Sequence, residues 1–152
     1  GYDVHELTPG RELILGGVKI PFEKGLSGHS DADVLVHAVM DAVLSAAGLP
    51  DIGVLFPVND SSLDGISSMM LLDRVREKTA DYEILNLSAV VMAEKPRLAE
   101  VIPVMRAKIA DKLKIGFDAV NISATTTEKL GIVGEGRGMA ASATVLMRKK
   151  SQ

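Results

Sequence analysis

The sequence contains no cysteine and no tryptophan, and aromatic residues make up only 3% of it. Without cysteine there is no disulfide framework and no thiolate to act as nucleophile or metal ligand. With so few aromatics, the core has to be built from Ala, Val, Ile, Leu and Met, inside a hydrophobic fraction of 47%. So much small apolar surface on 152 residues fits one domain with a substantial core, and it points to burial between subunits as well. A basic patch is also missing. The net charge is −3 and the basic residues are dispersed, which excludes the clustered cationic face that nucleic acid binding needs. The longest apolar run, after Ser30, is interrupted by His37 and Asp41 and is too short to span a membrane. No signal or transit segment is visible. The chain begins at Gly1 rather than Met, so a targeting segment upstream stays open.

What is present is concentrated in the stretch from Gly28 to Ala42. It holds two of the three histidines, His29 and His37. Ser30 followed by Asp33 is a capping-box pattern, which predicts a helix from Asp31 to about Ala47, stopped by Gly48 and Pro50. Leu35, Val39, Ala42, Val43 and Ala46 form its apolar face. Asp33, His37 and Asp41 form a polar stripe flanked by Val34, Val36 and Met40. A helix apolar nearly all round, with one ionisable seam, has that seam in a closed site or at an interface.

Along the rest of the chain, Gly1 to His5 reads as the end of a strand, with Asp3 and His5 on one face. Thr8-Pro9-Gly10 is a turn, and the segments flanking Gly16-Gly17 form a hairpin. Pro21 to Leu26 reads as a loop, and Pro50 to Gly65 as a long one. A helix is expected over Ser67 to Thr79 and strand over Ile84 to Met92. Arg97 to Ile115 reads as an irregular turn followed by regular helix from Pro103. Ala119 to Thr126 and Met139 to Met147 are strands around a Gly-rich turn region, and Arg148 to Gln152 is a polar tail. The pattern is a single α/β domain of the α+β type, a mixed β-sheet covered by helices, spanning 1–152.

Two constellations carry chemistry. Asp3, His5 and His37 supply N and O ligands of the kind found in a catalytic zinc site with an open fourth position. By spacing alone, a hydrogen-bonded Asp–His pair and a satisfied core histidine is the plainer alternative. His29 and Ser30, just before the helix, suit an anion such as phosphate. The second constellation is Thr125-Thr126-Thr127-Glu128-Lys129, followed by Gly131. Hydroxyls at a strand end can donate to phosphate, and Glu128 suits a hard cation held jointly with phosphates; a purely structural strand end fits the spacing equally. Neither a Walker A loop nor a dinucleotide motif is present. Two oxygen- and nitrogen-rich sets near phosphate-friendly groups suggest phosphoryl transfer.

These motifs together resemble one family. Gly1 to His5, Gly28 to Ala42, Asp51-Ile52-Gly53, Phe56-Pro57 and Ala124 to Gly131 resemble, in order, the motifs of the 2-C-methyl-D-erythritol 2,4-cyclodiphosphate synthases. The resemblance implies a lyase of the non-mevalonate isoprenoid pathway. Its substrate is 4-diphosphocytidyl-2-C-methyl-D-erythritol 2-phosphate, whose 2-phosphate attacks its own β-phosphorus and releases CMP. It implies a homotrimer packing its sheets around a central axis, with active sites between subunits. It implies no nucleic acid or membrane partner, a cytoplasmic place in a bacterium and a plastid-type organelle in a eukaryote. Carried over by position, Asp3, His5 and His37 bind Zn²⁺, and Glu128 binds Mg²⁺ or Mn²⁺. His29 and Thr126 stabilise the transition state, and Thr125 contacts phosphate. Asp51 and Gly53 hold the methylerythritol hydroxyls, with Ser30 and the loop from Phe56 to Asp60 nearby. Ala93, Pro96, Arg97, Leu98 and Ala99, with Ile132 nearby, line the cytidine pocket. The chain departs from the family pattern at Glu6, Val58, Glu135 and Arg137. The alternatives to a cyclase are a metal-dependent phosphohydrolase, using water with the same ligands, and a non-catalytic trimeric binding protein.

Overall fold

The computed structural model describes residues 1–151. Its elements, in order, are β1 (Tyr2–Pro9), β2 (Leu13–Leu15), β3 (Val18–Ile20), β4 (Lys24–Leu26), α1 (Val34–Ala46), α2 (Ile52–Leu55), α3 (Ser68–Lys78), β5 (Tyr82–Met92), α4 (Ile102–Leu113), β6 (Val120–Thr125), α5 (Gly131–Gly134) and β7 (Gly138–Lys149). Five strands form one sheet in the order β4-β1-β7-β5-β6, and β2 and β3 form a separate hairpin. Only β5 and β6 run parallel, joined by the α4 crossover; the other neighbours are antiparallel. The expected mixed-sheet α+β domain is what the chain forms.

The helices cover one face of this sheet. Leu87, Ala89 and Val91 of β5, Val120 and Ile122 of β6, and Ala141 and Ala143 of β7 point into the core on that side. They meet the buried residues of α1 and Met105 and Ile109 of α4. Alternate residues point the other way, as strand geometry requires. On that second face Tyr2, Val4 and Leu146 stand exposed, at 61%, 41% and 61%. The expectation of a sheet covered by helices therefore holds for one face of it.

Several local readings need correction. The helix starts at Val34, not Asp31, and its N-cap is Asp33. Ala32 takes a left-handed φ of 56°, which breaks any helix begun at Ser30. The Ser30 hydroxyl instead accepts from the Ala32 N–H in the loop. The segment read as a loop before Gly28 contains β4, which pairs with β1 from Leu7 to Pro9; β1 accordingly runs on through the expected turn at Thr8 and Pro9. Between Pro50 and Gly65 lie α2 and a short 3₁₀ turn over Ser61–Leu63. Asp51 and Asp60 cap those turns through side-chain bonds to the N–H groups of Val54 and Ser62. The irregular turn expected after Arg97 is there, and the regular helix begins at Ile102, with Pro103 in its first turn, where the missing N–H costs nothing. Strand β7 extends through Arg148 and Lys149, which had read as tail.

Asp33 also joins the hairpin to the helix. Its carboxylate caps α1 through the Val36 N–H and accepts the Gly16 and Gly17 N–H groups at 3.0 and 2.7 Å. Burial pushes this carboxyl up to about 6, against the pull of those three donors. Gly16 has a φ of 58°, and a Cβ there would lie 2.6 Å from Met105 Cβ. Gly16→Ala should therefore cost about 1–3 kcal/mol through strain and overpacking together, read as a lowered urea midpoint.

Candidate active site

Strand alternation puts Asp3 and His5 on the helix-covered face of β1, and α1 lays His37 across them. Asp3 Oδ2 lies 2.9 Å from His5 Nε2 and 3.0 Å from His37 Nδ1, and the two ring nitrogens are 3.1 Å apart. The outer partners decide what those atoms carry. His5 Nδ1 is 2.6 Å from the Ser27 carbonyl, which can only accept, so Nδ1 holds the proton and Nε2 presents a lone pair. The Nε2 of His37 lies among hydroxyls, 3.0 Å from Ser68 Oγ and 3.3 Å from Ser30 Oγ.

Lone pairs from a carboxylate and imidazoles converge here on one point, which calls for a positive charge between them. The ligand edges of a tetrahedral zinc site, at bond lengths of about 2.0–2.1 Å, are about 3.3 Å, close to those of this triangle. Asp3, His5 and His37 thus fit a metal ion, and among the described residues they form the His and carboxylate cluster with that capacity. When the rings take up a second proton in place of a metal they donate to Asp3: burial pushes its carboxyl up, but hydrogen bonds from His37 and His5 and the charge on those rings outweigh it and hold it well below the ordinary range. Burial pulls His5 down, and the hydrogen bond and charge of Asp3 outweigh that and raise it.

The triad opens into a cavity of about 240 Å³. Gly28, His29 and Ser30 form one wall, and Gly53, Phe56, Val58 and Asp60 another. Arg11 braces the first wall, donating to the carbonyls of Gly28 and Ser30 at 3.0 and 2.9 Å. Asp41, from the seam of α1, braces the second by accepting the Ile52 N–H at 2.9 Å. Asp51 stands beside this wall as the exposed cap of α2.

A second cavity, of about 270 Å³, lies at the far side of the sheet. It brings together Ala93, Pro96, Arg97, Leu98 and Ala99 with Thr125 and Thr126. Glu128 follows on an exposed turn with φ of 52°, and its carboxylate accepts from the Thr126 hydroxyl at 3.2 Å. Ile132 sits on α5, exposed, and lines neither cavity.

The sheet keeps these two sets apart. Val4 pairs with Ala140, Ala140 with Met92, and Met92 with Thr125. Thr125 is therefore three strand spacings from the β1 ligands, about 14 Å across the sheet. Within one chain, Asp3, His5, His29 and His37 do not share a cavity with Thr126 or Glu128.

The YgbB family model matches residues 1–148. The chain belongs to the YgbB family. Among its relatives is the 2-C-methyl-D-erythritol 2,4-cyclodiphosphate synthase of Desulforamulus reducens, 55% identical over 151 residues, 98% of this chain and 96% of that protein. The bifunctional IspDF of Campylobacter jejuni superposes with a TM-score of 0.95 at 41% identity, covering 99% of this chain and 42% of that longer one. IspF of Plasmodium falciparum, solved as a CDP complex, gives a TM-score of 0.87 at 31% identity and covers 99% of this chain and 94% of that one.

Set against the family pattern, the departures fall around the site rather than in the triad. Val58 stands exposed on the cavity rim. Arg137 pairs with Glu135 at 2.7 Å, and Glu6 is exposed on β1. Sequence reasoning missed the supporting residues Arg11, Asp31 and Ser68. The available signal was Asp31 inside the Gly28 to Ala42 run, two residues before a buried Asp33.

Proposed function

We propose that this chain is a 2-C-methyl-D-erythritol 2,4-cyclodiphosphate synthase acting in non-mevalonate isoprenoid biosynthesis. The observation that carries this reading is the 55% identity to a protein of that name along 98% of the chain. The convergent Asp3, His5 and His37 supports it. The substrate is 4-diphosphocytidyl-2-C-methyl-D-erythritol 2-phosphate. An oxygen of its 2-phosphate forms a bond to the β-phosphorus, the bond from that phosphorus to the α-phosphate oxygen breaks, and CMP leaves with the negative charge. No proton need move, because the nucleophile is already anionic. Both reacting groups belong to one molecule, so the protein's work is mainly conformational; holding them in line is worth on the order of 7–11 kcal/mol.

Asp3, His5 and His37 hold Zn²⁺ in this reading. Glu128 holds Mg²⁺ or Mn²⁺ jointly with substrate phosphates, since one carboxylate supplies too few oxygens for a protein-only cage. Bound there, divalent ions neutralise the charge that keeps two phosphates apart. His29 and Ser30 meet the phosphates on the triad side, and Thr125 and Thr126 on the other. Asp51 and Gly53 take the methylerythritol hydroxyls, with Phe56 and Asp60 closing the loop. Ala93 to Ala99 receive the cytidine.

The working unit is a homotrimer. The sheet separates the halves of the site, and a neighbour's second cavity facing the triad would reunite them. The exposed Tyr2, Val4 and Leu146 on the bare sheet face are apolar surface suited to that packing. The bacterial relative supports a cytoplasmic setting.

Turnover in ¹⁸O-labelled water tests the chemistry. CMP and cyclic diphosphate should form in equal amounts without label. Label in an open-chain product would mean that water is the nucleophile and would sink the cyclase reading. A subtler test concerns Asp41, whose carboxyl burial pushes up. Asp41→Ala removes the brace on Ile52 and with it the seat of Asp51 and Gly53. KM should rise roughly tenfold, the worth of one hydrogen bond, with kcat little changed. Steady-state kinetics would show the split.

A further inference from the structure

The atoms behind His37 form an ordered chain of donors and acceptors. Ser68 Oγ lies 2.5 Å from Asp31 Oδ1, and the Ser68 N–H donates to Asp31 Oδ2 at 2.9 Å. The Asp33 N–H also donates to Asp31 Oδ1, at 3.2 Å. Both carboxylate oxygens of Asp31 are therefore acceptors, and the single proton of the Ser68 hydroxyl goes to Asp31. The Ser68 oxygen then faces His37 Nε2 with a lone pair, so Nε2 must donate. A neutral ring has one proton, and with it on Nε2, Nδ1 is left bare toward Asp3 and His5. We propose that Asp31 and Ser68 are positioning residues that set the His37 tautomer, so that Nδ1 rather than Nε2 is offered to the metal.

The pair is built to hold this direction. Ser68 is fully buried at the first position of α3, where Ser67 caps the helix. Asp31 is fixed from its backbone as well, its N–H donating to the Ile66 carbonyl at 3.1 Å. Aspartate, serine and histidine come from the loop before α1, from α3 and from α1. An outer partner that fixes a histidine ligand's tautomer also raises its basicity, and its loss typically costs 10–100-fold in metal affinity.

The inference rests on Asp3, His5 and His37 being a metal set. The test is Zn²⁺ affinity of the full chain, measured by competition with a chromophoric chelator. Ser68→Ala should weaken binding about 10–100-fold, and Asp31→Asn should weaken it too. Ser68→Thr, which keeps the hydroxyl, should restore it. Ser68→Ala binding zinc as tightly as the wild type, while His37→Ala binds it poorly, overturns the proposal alone. His37→Ala binding as tightly as the wild type overturns the metal set beneath it. A long-range ¹H–¹⁵N spectrum of the zinc-loaded wild type needs no variant to fold. It should show a proton on His37 Nε2 with the metal on Nδ1; the reverse assignment overturns the proposal.

Discussion

His37→Ala should abolish metal binding and catalysis together. The residue is 8% exposed and one of the three proposed ligands, so its removal leaves only Asp3 and His5, both on one strand. Elemental analysis of the purified variant should find zinc lost by more than the roughly 10–100-fold change that an outer partner's loss causes. Turnover should fall about 10³-fold or more, since metal stabilisation of phosphoryl charge is worth several kcal/mol. The fold should survive: α1 remains anchored by Val34, Leu35, Val39 and Val43 in the core and by the Asp33 cap. Circular dichroism in chelator would verify that. Wild-type zinc content in the variant would refute the ligand assignment directly.

Two dead variants, mixed as one trimer population, should regain activity. His37→Ala disables the triad half of the site and Glu128→Ala the other half. If each site joins the triad of one subunit to the Thr125–Glu128 turn of its neighbour, an intact site needs a Glu128→Ala chain on the first side and a His37→Ala chain on the second. Tandem selection on both tags keeps only mixed trimers, and each of these has one intact site in three, so about a third of wild-type turnover should return. Sites complete within one chain would return none. Co-expression from one vector with separate tags, followed by tandem purification and assay of CMP release, measures the difference.

Much of this geometry was legible in the residues, for identifiable reasons. Period-two alternation put Asp3 and His5 on one face of a strand, and the structure keeps them there. The ionisable seam of α1 also holds: Asp33, His37 and Asp41 all meet partners inside the protein. Spacing did not show that the seam and the strand would meet, because sequence neither sets the angle of α1 over β1 nor places α3 behind it. The capping box failed for a local reason. Ser30 and Asp33 satisfy the pattern, but the left-handed turn at Ala32 lies between them. The short elements β4 and α2 were missed because neither is long enough to display a period. They form through tertiary partners, β1 for one and Asp41 for the other. The residues from Ala93 to Ala99 came from family resemblance alone; Asp3, His5 and His37 stood out as a possible metal set, and the resemblance chose that reading over a hydrogen-bonded pair and a core histidine.

The carboxylate that holds the Gly16-Gly17 turn has a consequence for how such chains vary over evolutionary time. Surface hairpin turns are ordinarily where insertions accumulate. This one has both N–H groups committed to Asp33, and a Cβ on either glycine would collide with a methionine, Met105 or Met69. Positions 16, 17 and 33 should therefore drift together or not at all. Length changes should be scarce there even in relatives whose flanking strands have diverged.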